Sequence, residues 1–433
     1  MAFSIPYNIF IISILLHFHS TKSYSTFQPK ALVLSISKDP TTHQYTTNLT
    51  LRTPPISLPL TLDLGTQFLW VTCNRLYKSS TYHPIPCNSP KCMTLPKPTI
   101  CKTCRTTPKP GCNINTCRTL TLKNPITNIK PPLGGELSKD IISINSTNGS
   151  NPGQIVTIPN FLFVCAPPSL VQGLTKGVQG VAGFGRSKTS IPNQFSSYFH
   201  FPNKFSLCLP SSGFETGAGF FGSGPYNFFP GIDLTTLLSY TPLLTNKIRP
   251  SDYYIGVTQI KIFDQNVPIN KSLLSINSKG YGGTMISVVD PYTMMETSIF
   301  MAVSRTFNNE LTKNGQVKRV NPVAPFEFCY DPSTLPFTRI GPFGPDINLV
   351  MQSEKVVWTI SGQNYFVRAS NEAYCLGLVD GGKKPKASIV IGGFQLEDNF
   401  VEFDVGKSRI GFSNSLLFSR VRCSNFNFTS TNV

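Results

Sequence analysis

An Asp-x-Gly turn between two apolar strands is the segment of this chain best suited to chemistry. An apolar run at residues 60–64 enters the turn at Asp63, and Gly65 supplies the backbone freedom that a tight turn needs. A second apolar run, which carries Trp70, follows at once. A carboxylate on such a turn can activate water when a second carboxylate lies beside it, because the pair then shares one proton. The function therefore depends on whether the chain supplies that second carboxylate.

The second half of the chain repeats the strand and the turn but not the acid. Residues 284–289 again form an apolar strand entering a turn, and lining up this turn with the aspartic proteases, which the two turns resemble, places Ser287 at the second catalytic acid. Serine has no carboxylate with which to share a proton. Val289 takes the place of the glycine, which is costly wherever the backbone needs a positive φ. We therefore predict no catalytic pair, and we expect Asp63 to accept hydrogen bonds within its own loop.

Other catalytic constellations have less support in the sequence. Asp290 could replace the missing acid only from a differently shaped turn, since it lies three residues further on. All histidines precede the second half of the chain, and no nucleophile-elbow spacing is visible; they are His17, His19, His43, His83 and His200. Cys101 and Cys104 have the spacing of a zinc or redox site, but crosslinks in an irregular loop are the stronger interpretation in an exported chain. We expect no metal and no cofactor.

Several features indicate export. Residues 1–25 have the pattern of a signal peptide, and their apolar centre is too short to span a membrane. An even number of cysteines allows complete pairing; they are Cys73, Cys87, Cys92, Cys101, Cys104, Cys112, Cys117, Cys165, Cys208, Cys329, Cys375 and Cys423. Asparagine-linked glycosylation sequons begin at Asn48, Asn145, Asn148, Asn270 and Asn427. The sequence thus predicts a disulfide-bonded extracellular glycoprotein, outside any membrane.

The charge distribution is strongly basic. The formal net charge is +17, and no acidic residue occurs between Gly65 and Gly135, a stretch with ten Lys or Arg residues. Such a surface attracts acidic polymers or an acidic protein partner. Export argues against nucleic acid as the partner. A solvated basic face without a partner is the alternative.

The elements that must position these residues are short strands. Runs at residues 31–36 and 45–51 are typical of strands, and helical periodicity is confined to residues 190–199 and 297–311. The predicted fold class is therefore all-β. The order of strand, turn and a later apolar-apolar-Gly element occurs twice, which predicts two related lobes facing a cleft. A polar, proline-bearing segment at residues 238–252 reads as a linker. We predict lobes at residues 26–245 and 246–433.

Those motifs are similar to the pepsin-like aspartic proteases over nearly the whole mature chain. Asp63, Leu64 and Gly65 lie where the first catalytic triplet belongs, and residues 390–412 resemble the C-terminal signature of that family. The resemblance implies a bilobal pepsin-like fold with a central cleft. A hairpin at residues 134–158, in the region of the protease flap, lacks the tyrosine that the flap usually carries.

A narrower resemblance is to secreted plant pseudo-proteases, which include glycosidase inhibitors, extracellular dermal glycoproteins and basic seed globulins. It rests on motifs at residues 286–293, 296–299, 151–153, 356–358 and 423–429, which occur in the expected order. The resemblance implies an inhibitor secreted to the plant cell wall space and acting on glycoside hydrolases. Xyloglucan endoglucanases are the first expected target class and xylanases the second.

The resemblance to the endoglucanase inhibitors also implies inhibitory residues. It places Arg339 and Arg420 in two loops of the second lobe, where a guanidinium could enter between the two catalytic carboxylates of a hydrolase. An ordinary solvated charge is the alternative for each. Xylanase-inhibiting relatives use a histidine near the terminal loop, and Leu417 or its neighbours occupy that place here. The resemblance further implies the disulfides Cys208–Cys423 and Cys329–Cys375.

Two other functions stay open at this point. One is a seed-globulin-like storage or peptide-binding protein, which shares the fold and needs neither arginine. The other is residual aspartic endopeptidase activity, which would depend on Asp63.

Overall fold

Strands dominate the chain, as the sequence pattern predicts. The computed structural model describes residues 27–73 and 77–429, so the predicted signal segment lies outside the described residues. The first-lobe strands are β1 (Ala31–Lys38), β2 (Tyr45–Leu51), β3 (Ile56–Asp63), β4 (Trp70–Thr72), β5 (His83–Pro84), β6 (Thr99–Lys102), β7 (Thr116–Thr119), β8 (Gly135–Thr147), β9 (Pro152–Ala166), β10 (Gly180–Gly183), β11 (Lys204–Cys208), β12 (Thr216–Gly222), β13 (Asn227–Phe228) and β14 (Ile232–Asp233).

The second half continues in the same manner. Its strands are β15 (Ser239–Leu244), β16 (Tyr253–Ile255), β17 (Gln259–Ile262), β18 (Gln265–Asn266), β19 (Thr284–Ile286), β20 (Thr293–Met295), β21 (Arg319–Val320), β22 (Cys329–Tyr330), β23 (Phe337–Thr338), β24 (Gly341–Pro342), β25 (Ile347–Val350), β26 (Val357–Ile360), β27 (Phe366–Arg368), β28 (Tyr374–Leu376), β29 (Leu378–Asp380), β30 (Ile389–Ile391), β31 (Phe400–Asp404) and β32 (Arg409–Phe412).

Helices are few and short. They are α1 (Ile191–Phe199), α2 (Thr297–Thr312), α3 (Gly362–Tyr365) and α4 (Gly393–Leu396), with 3₁₀ turns at Cys92–Thr94, Pro168–Val171, Leu234–Leu237, Lys271–Leu274, Leu416–Ser419 and Cys423–Asn425. Both predicted helices are present, although the Ser190 hydroxyl at the start of α1 donates to the carbonyl of Ser187 rather than capping the helix. Among the described residues, no helix is long and apolar enough to cross a membrane.

The same three-strand arrangement occurs in both halves. In the first, β3 pairs in parallel with β10, so that Asp63 lies opposite Gly183, and β4 pairs antiparallel with β10. In the second, β19 pairs in parallel with β30, so that Ile286 lies opposite Ile391, and β20 pairs antiparallel with β30. The repeat confirms two related β lobes, and it makes the turn after β19 the structural counterpart of the turn at Asp63.

One sheet joins the lobes, and it corrects the linker prediction. Strand β11 of the first lobe pairs with β31 of the second, β31 pairs with β32, and β32 pairs with β15. Strand β15 lies within residues 238–252, where the sequence pattern indicated only a linker. Its ladder with β32 orders this segment, and Pro242 lies at the end of that ladder opposite Arg409. The lobe limits at 26–245 and 246–433 stay a prediction.

Two large apolar regions hold the sheets in place. The main one contains residues of both lobes, among them the stacked rings of Phe205 and Phe403, whose centroids are 4.7 Å apart on the joining strands. A separate cluster around Trp70 lies beneath the cysteine-rich loops of the first lobe and includes Cys92 and Cys117. Burial on both sides of the joining sheet fixes the lobes around the cleft between them.

Candidate functional site

Asp63 is held by its own turn. Its carboxylate is buried, with Oδ1 accepting from the Gly65 N–H at 3.0 Å. Oδ2 accepts from the Thr66 N–H at 2.8 Å and from the Thr66 hydroxyl at 2.6 Å. Three donors to one carboxylate fix its orientation and satisfy much of its hydrogen-bonding capacity. The turn therefore stabilises the side chain whether or not it performs chemistry.

Ser287 occupies the equivalent position in the second lobe. It directly follows Ile286, and its N–H donates to the Ile391 carbonyl at 2.9 Å. Its hydroxyl accepts from the Asp290 N–H at 3.3 Å. Asp63 and Ser287 line the same cleft, which has a cavity volume of about 990 Å³. The structure thus brings together the two residues that the aligned turns predicted, one acidic and one neutral.

A second carboxylate lies in the cleft at a place the sequence reasoning missed. The Oδ1 atom of Asp252 is 2.9 Å from the point where a Cβ on Gly65 would be, and both carboxylate oxygens of Asp63 are 3.8 Å from that point. Gly65 is therefore the residue that lets the two acids approach. Burial, together with the nearby Asp63 carboxylate, raises the pKa of Asp252 to about 6 against the opposing effect of Arg249, Lys386 and Lys123.

The segment before β16 fixes Asp252 against the first lobe. The Ser251 carbonyl accepts from the Arg186 N–H at 3.0 Å, and the Ser251 hydroxyl accepts from the Gln67 amide at 3.2 Å. Asp252 thus arrives from the connection between the lobes and not from the turn that carries Ser287. The sequence offered no signal for this, because the segment reads as a linker.

Asp290 is committed to another partner. Its Oδ2 forms an ion pair with the ammonium of Lys386, another cleft residue. The alternative in which Asp290 supplies the missing acid would have to break this pair.

The hairpin at residues 134–158, which the sequence placed in the region of the protease flap, does not cover the cleft. It is formed by β8 and β9, and none of its residues line the cleft. Segments 96–98 and 120–130 form that side of the cleft instead.

Arg339 and Arg420 lie outside the cleft, at exposed turns of the second lobe. Arg339 is at the tip of the two-strand hairpin formed by β23 and β24. Arg420 ends a 3₁₀ turn with φ of 58°, and its N–H donates to the Leu417 carbonyl at 3.1 Å. Neither guanidinium has a hydrogen-bond or ion-pair partner among the described residues. In contrast, the neighbouring Arg422 lies 3.9 Å from Glu215 and 3.8 Å from Asp398.

The two arginine loops share one support, helix α3. A Cβ on Gly362 would lie 1.8 Å from the Pro342 carbonyl oxygen, so the first residue of α3 packs directly against β24. The next residue, Gln363, donates its amide to the hydroxyl of Ser415, which begins the turn that ends at Arg420. The structure therefore places the two predicted arginines on adjacent loops.

Disulfides anchor these regions. The described residues contain six disulfides and no free cysteine: Cys73–Cys165, Cys87–Cys101, Cys92–Cys117, Cys104–Cys112, Cys208–Cys423 and Cys329–Cys375. The two pairings that the resemblance implied are among them. Cys101 and Cys104 belong to different disulfides, so their CxxC spacing serves the crosslinked loops. Among the sequon asparagines, Asn145 is half-buried and the others are exposed: Asn48, Asn148, Asn270 and Asn427.

Comparison with known families gives the same two halves. Residues 45–223 match a family model described as xylanase inhibitor N-terminal, and residues 252–414 match one described as xylanase inhibitor C-terminal. A protein of Nicotiana benthamiana described as "Probable aspartic proteinase GIP2" is 46% identical over 99% of this chain and 100% of its own length. The chain belongs to this xylanase-inhibitor-like family. The resemblance identified from the motifs is thereby confirmed.

Seed proteins and solved structures belong to the same group. A "Gamma conglutin 1" of Prunus dulcis is 44% identical over 97% of this chain and 96% of its own length. The structure described as "Crystal structure of edgp" has a TM-score of 0.89 and 47% identity, covering 94% of this chain and 100% of that one. A lupine seed conglutin gamma, described as a basic 7S globulin, has a TM-score of 0.82 and 37% identity, covering 93% and 100%. These matches confirm the bilobal pepsin-like fold.

Proposed function

We propose that the chain is a catalytically inactive aspartic-protease homologue. The observation that supports this is Ser287, which sits where the second lobe would carry its acid. Asp252 is a poor replacement, because it lies beside Gly65 on a connection anchored to the first lobe. It has no counterpart of the three-donor turn that orients Asp63. Water held between two oriented carboxylates is the requirement of this chemistry, and the second position offers a hydroxyl.

A peptidase assay tests the inactivity directly. We expect no cleavage of casein at acid pH by the purified protein, since Ser287 cannot share a proton with Asp63. The matched control is Asp63→Asn, which removes the remaining acid of the aligned pair. Cleavage by the parent protein that disappears in Asp63→Asn would contradict the proposal and establish the residual endopeptidase alternative.

We also propose that the protein is a secreted inhibitor of glycoside hydrolases in the plant cell wall space, with xyloglucan endoglucanases as the first target class and xylanases as the second. Six disulfides and the exposed sequons suit an extracellular protein. The observation that carries the inhibitory role is the pair of exposed guanidinium groups at Arg339 and Arg420, which have no partner in the part of the chain that the structure describes. Glycoside hydrolases use two carboxylates flanking the cleaved bond, and a planar guanidinium binds such groups with paired hydrogen bonds.

Exposed aromatic side chains surround the two arginines. Phe337 and Phe343 flank the Arg339 hairpin and are 53% and 57% exposed, and Phe418, beside Arg420, is 59% exposed. Arginine and large aromatic residues are enriched among the residues that dominate protein–protein binding energy. Apolar rings that remain exposed around unpaired cations therefore suit a surface that becomes buried against an acidic enzyme cleft.

Titration of a xyloglucan endoglucanase and a xylanase with single variants tests this role. Arg339→Ala and Arg420→Ala should each weaken inhibition by about 30-fold or more, because truncating one partner of a desolvated charge pair typically costs 2 kcal/mol or more. Arg339→Lys and Arg420→Lys should recover only part of the loss, since an ammonium lacks the planar fork.

Arg305→Ala provides the matched control. Arg305 is an exposed arginine of α2 in the same lobe with no ion-pair partner among the described residues, so its loss changes the charge equally without touching the two loops. Equal losses in all three alanine variants would mean that the inhibition depends only on net charge. Absence of inhibition by the parent protein would exclude both target classes.

A second candidate function is favoured by the comparisons. Relatives described as gamma conglutins and basic 7S globulins are 37–44% identical to this chain, as in the soybean "Basic 7S globulin" at 38% over 92% of this chain. A storage or peptide-binding role needs neither Arg339 nor Arg420. Lack of hydrolase inhibition together with abundant deposition in seeds would support it.

A further inference from the structure

The central cleft has basic side chains on both of its walls. The first-lobe wall contributes Lys97, Lys123 and Lys130, and the opposite wall contributes Lys247, Arg249 and Lys386. The acidic residues that line the cleft are Asp63, Asp252 and Asp290. Cations therefore outnumber acids along the length of a cleft of about 990 Å³. Because low-dielectric walls focus the field of their charges, this excess attracts anions into the cleft.

Most of these cations have no acidic partner within residues 27–73 and 77–429. Lys386 is paired with Asp290. Lys97, Lys123, Lys130 and Lys247 are exposed and form no ion pair with any described residue. The three lysines of the first-lobe wall belong to the long stretch without an acid that the sequence shows between Gly65 and Gly135. The structure thus concentrates part of that basic stretch on one side of the cleft.

Prolines in the lining argue against a peptide as the bound anion. Pro96, Pro98, Pro125 and Pro250 all line the cleft, and proline has no N–H to donate to an added strand. An extended peptide bound along a sheet edge relies on such main-chain hydrogen bonds. The sole aromatic residue among the described lining residues is Phe68, which is 2% exposed, so the cleft offers no ring face for stacking neutral sugars. Side-chain charge is the main source of affinity that the cleft provides.

We propose that this cleft binds a linear acidic polysaccharide, a chain of uronate sugars whose carboxylates contact the lysines of the two walls. Regularly spaced carboxylates on an extended polymer can reach several separate cations at once, which no small anion can do. Binding of this kind displaces condensed counterions and is therefore strongly dependent on salt. The site is separate from the inhibitory loops, because neither Arg339 nor Arg420 lines the cleft.

The acids that line the cleft add a dependence on pH. Asp252 has a pKa raised to about 6 by burial and by Asp63, opposed by Arg249, Lys386 and Lys123. Below that pH Asp252 takes up a proton, which removes one negative charge that would repel the polymer. The uronate carboxylates remain ionised under these conditions because ordinary carboxylic acids lose their protons near pH 4. Affinity should therefore rise by about three-fold as the pH falls from 7 to 5.

Calorimetric titration with an oligogalacturonate of defined length tests the proposal. The triple variant Lys97→Gln, Lys123→Gln and Lys130→Gln should bind about ten-fold more weakly or worse, with a shallower dependence on salt. The matched control is Lys271→Gln, Lys318→Gln and Lys355→Gln, which removes the same charge at exposed lysines outside the cleft. The control should retain the parent affinity, and the methyl-esterified oligomer should not bind.

Several outcomes would overturn the proposal. Equal loss in both triple variants would mean that binding follows net charge and not the cleft. If the methyl-esterified oligomer bound as tightly as the charged oligogalacturonate, charge could not be the basis of binding. Tighter binding of an acidic peptide, lost in the cleft variant alone, would assign the cleft to a peptide. Since the cleft variant should inhibit glycoside hydrolases as the parent does, failure of this proposal and failure of the inhibitory function are distinguishable.

Discussion

The two turns at the centre of the molecule have the same scaffold and different side chains. In the first lobe, the turn after β3 holds a carboxylate, Asp63, through three hydrogen bonds. In the second lobe, the turn after β19 holds a hydroxyl, Ser287, through one bond of 3.3 Å from the Asp290 N–H. The parallel pairing of each turn's strand with a partner strand is nevertheless the same. The comparison indicates that packing stabilises this strand arrangement whether the turn carries a carboxylate or a hydroxyl.

Gly183, at the end of β10, and Gly392, which directly follows β30, provide the largest expected effect. A Cβ on Gly183 would lie 2.3 Å from the Phe68 carbonyl oxygen, and one on Gly392 would lie 2.3 Å from the Tyr292 carbonyl carbon. Since both contacts are with backbone, Gly183→Ala and Gly392→Ala should each lower the free energy of unfolding by about 3 kcal/mol, measured by denaturant titration.

Gly406→Ala is the control for that measurement. A Cβ there would meet only ordinary contacts at 3.7 and 3.8 Å, so its cost should stay within about 1 kcal/mol. If Gly392→Ala cost as little as the control while Gly183→Ala was costly, close packing around the turn would be required for stability in the first lobe and not in the second.

The side chains of the two turns should differ in their contribution to stability. In Asp63→Asn, an amide N–H₂ replaces one of the carboxylate oxygens that accept hydrogen bonds in the parent protein and so faces a donor. The substitution should therefore lower the free energy of unfolding by about 2 kcal/mol. Ser287→Ala removes a single long hydrogen bond and should cost less than about 1 kcal/mol. Thermal or denaturant unfolding of the two variants measures the difference. Equal costs would mean that Ser287 is as tightly integrated as Asp63.

The carboxylate of Asp252, which lies near the turn at Asp63, also predicts a dependence of stability on pH. Asp252 has a pKa raised from 3.8 to about 6 in the folded protein, so the native state binds its proton more tightly than the unfolded state does. The resulting stabilisation is fully present below pH about 4 and is lost as the pH rises through about 6, an effect of at most about 3 kcal/mol. Asp252→Asn should remove this loss.

The difference in unfolding free energy between Asp252→Asn and the parent, followed from pH 4 to pH 7, is the relevant measurement. Burial also raises the pKa of Glu397, to about 7, although Lys38 and Tyr45 oppose the shift. Both proteins contain Glu397, and its contribution cancels in the difference. A difference that stays constant with pH would show that Asp252 titrates normally and does not feel Asp63.

Much of the scaffold could be predicted because its signals are local. The alternation at residues 45–51 predicted β2 with its observed bounds, and the apolar stripe from residue 297 predicted α2 to within one residue. The repeated order of strand, turn and apolar-apolar-Gly element predicted two related lobes. In each case the residues that form the element also carry the pattern, so the pattern could be read without knowing the tertiary structure.

The errors and omissions depend on distant contacts. Strand β15 has no strong pattern of its own and is ordered by its ladder with β32, more than a hundred residues away. Asp252 could not be assigned to the site, because its place beside Asp63 depends on hydrogen bonds that Ser251 accepts from Gln67 and Arg186 of the first lobe. The lysines of the cleft had a signal, the stretch without acids, but the sequence does not say which of its lysines face one another across a cavity.

Inhibition of a xyloglucan endoglucanase is the measurement that tests the central claim most directly, namely that the inhibition of hydrolases depends on the arginine loops and not on the cleft. Two double variants should be titrated beside the parent: Arg339→Ala with Arg420→Ala, and Asp63→Asn with Ser287→Ala. We expect the first to lose inhibition by about 100-fold or more and the second to inhibit like the parent. Loss of inhibition in the cleft variant, with the loop variant unaffected, would contradict the account.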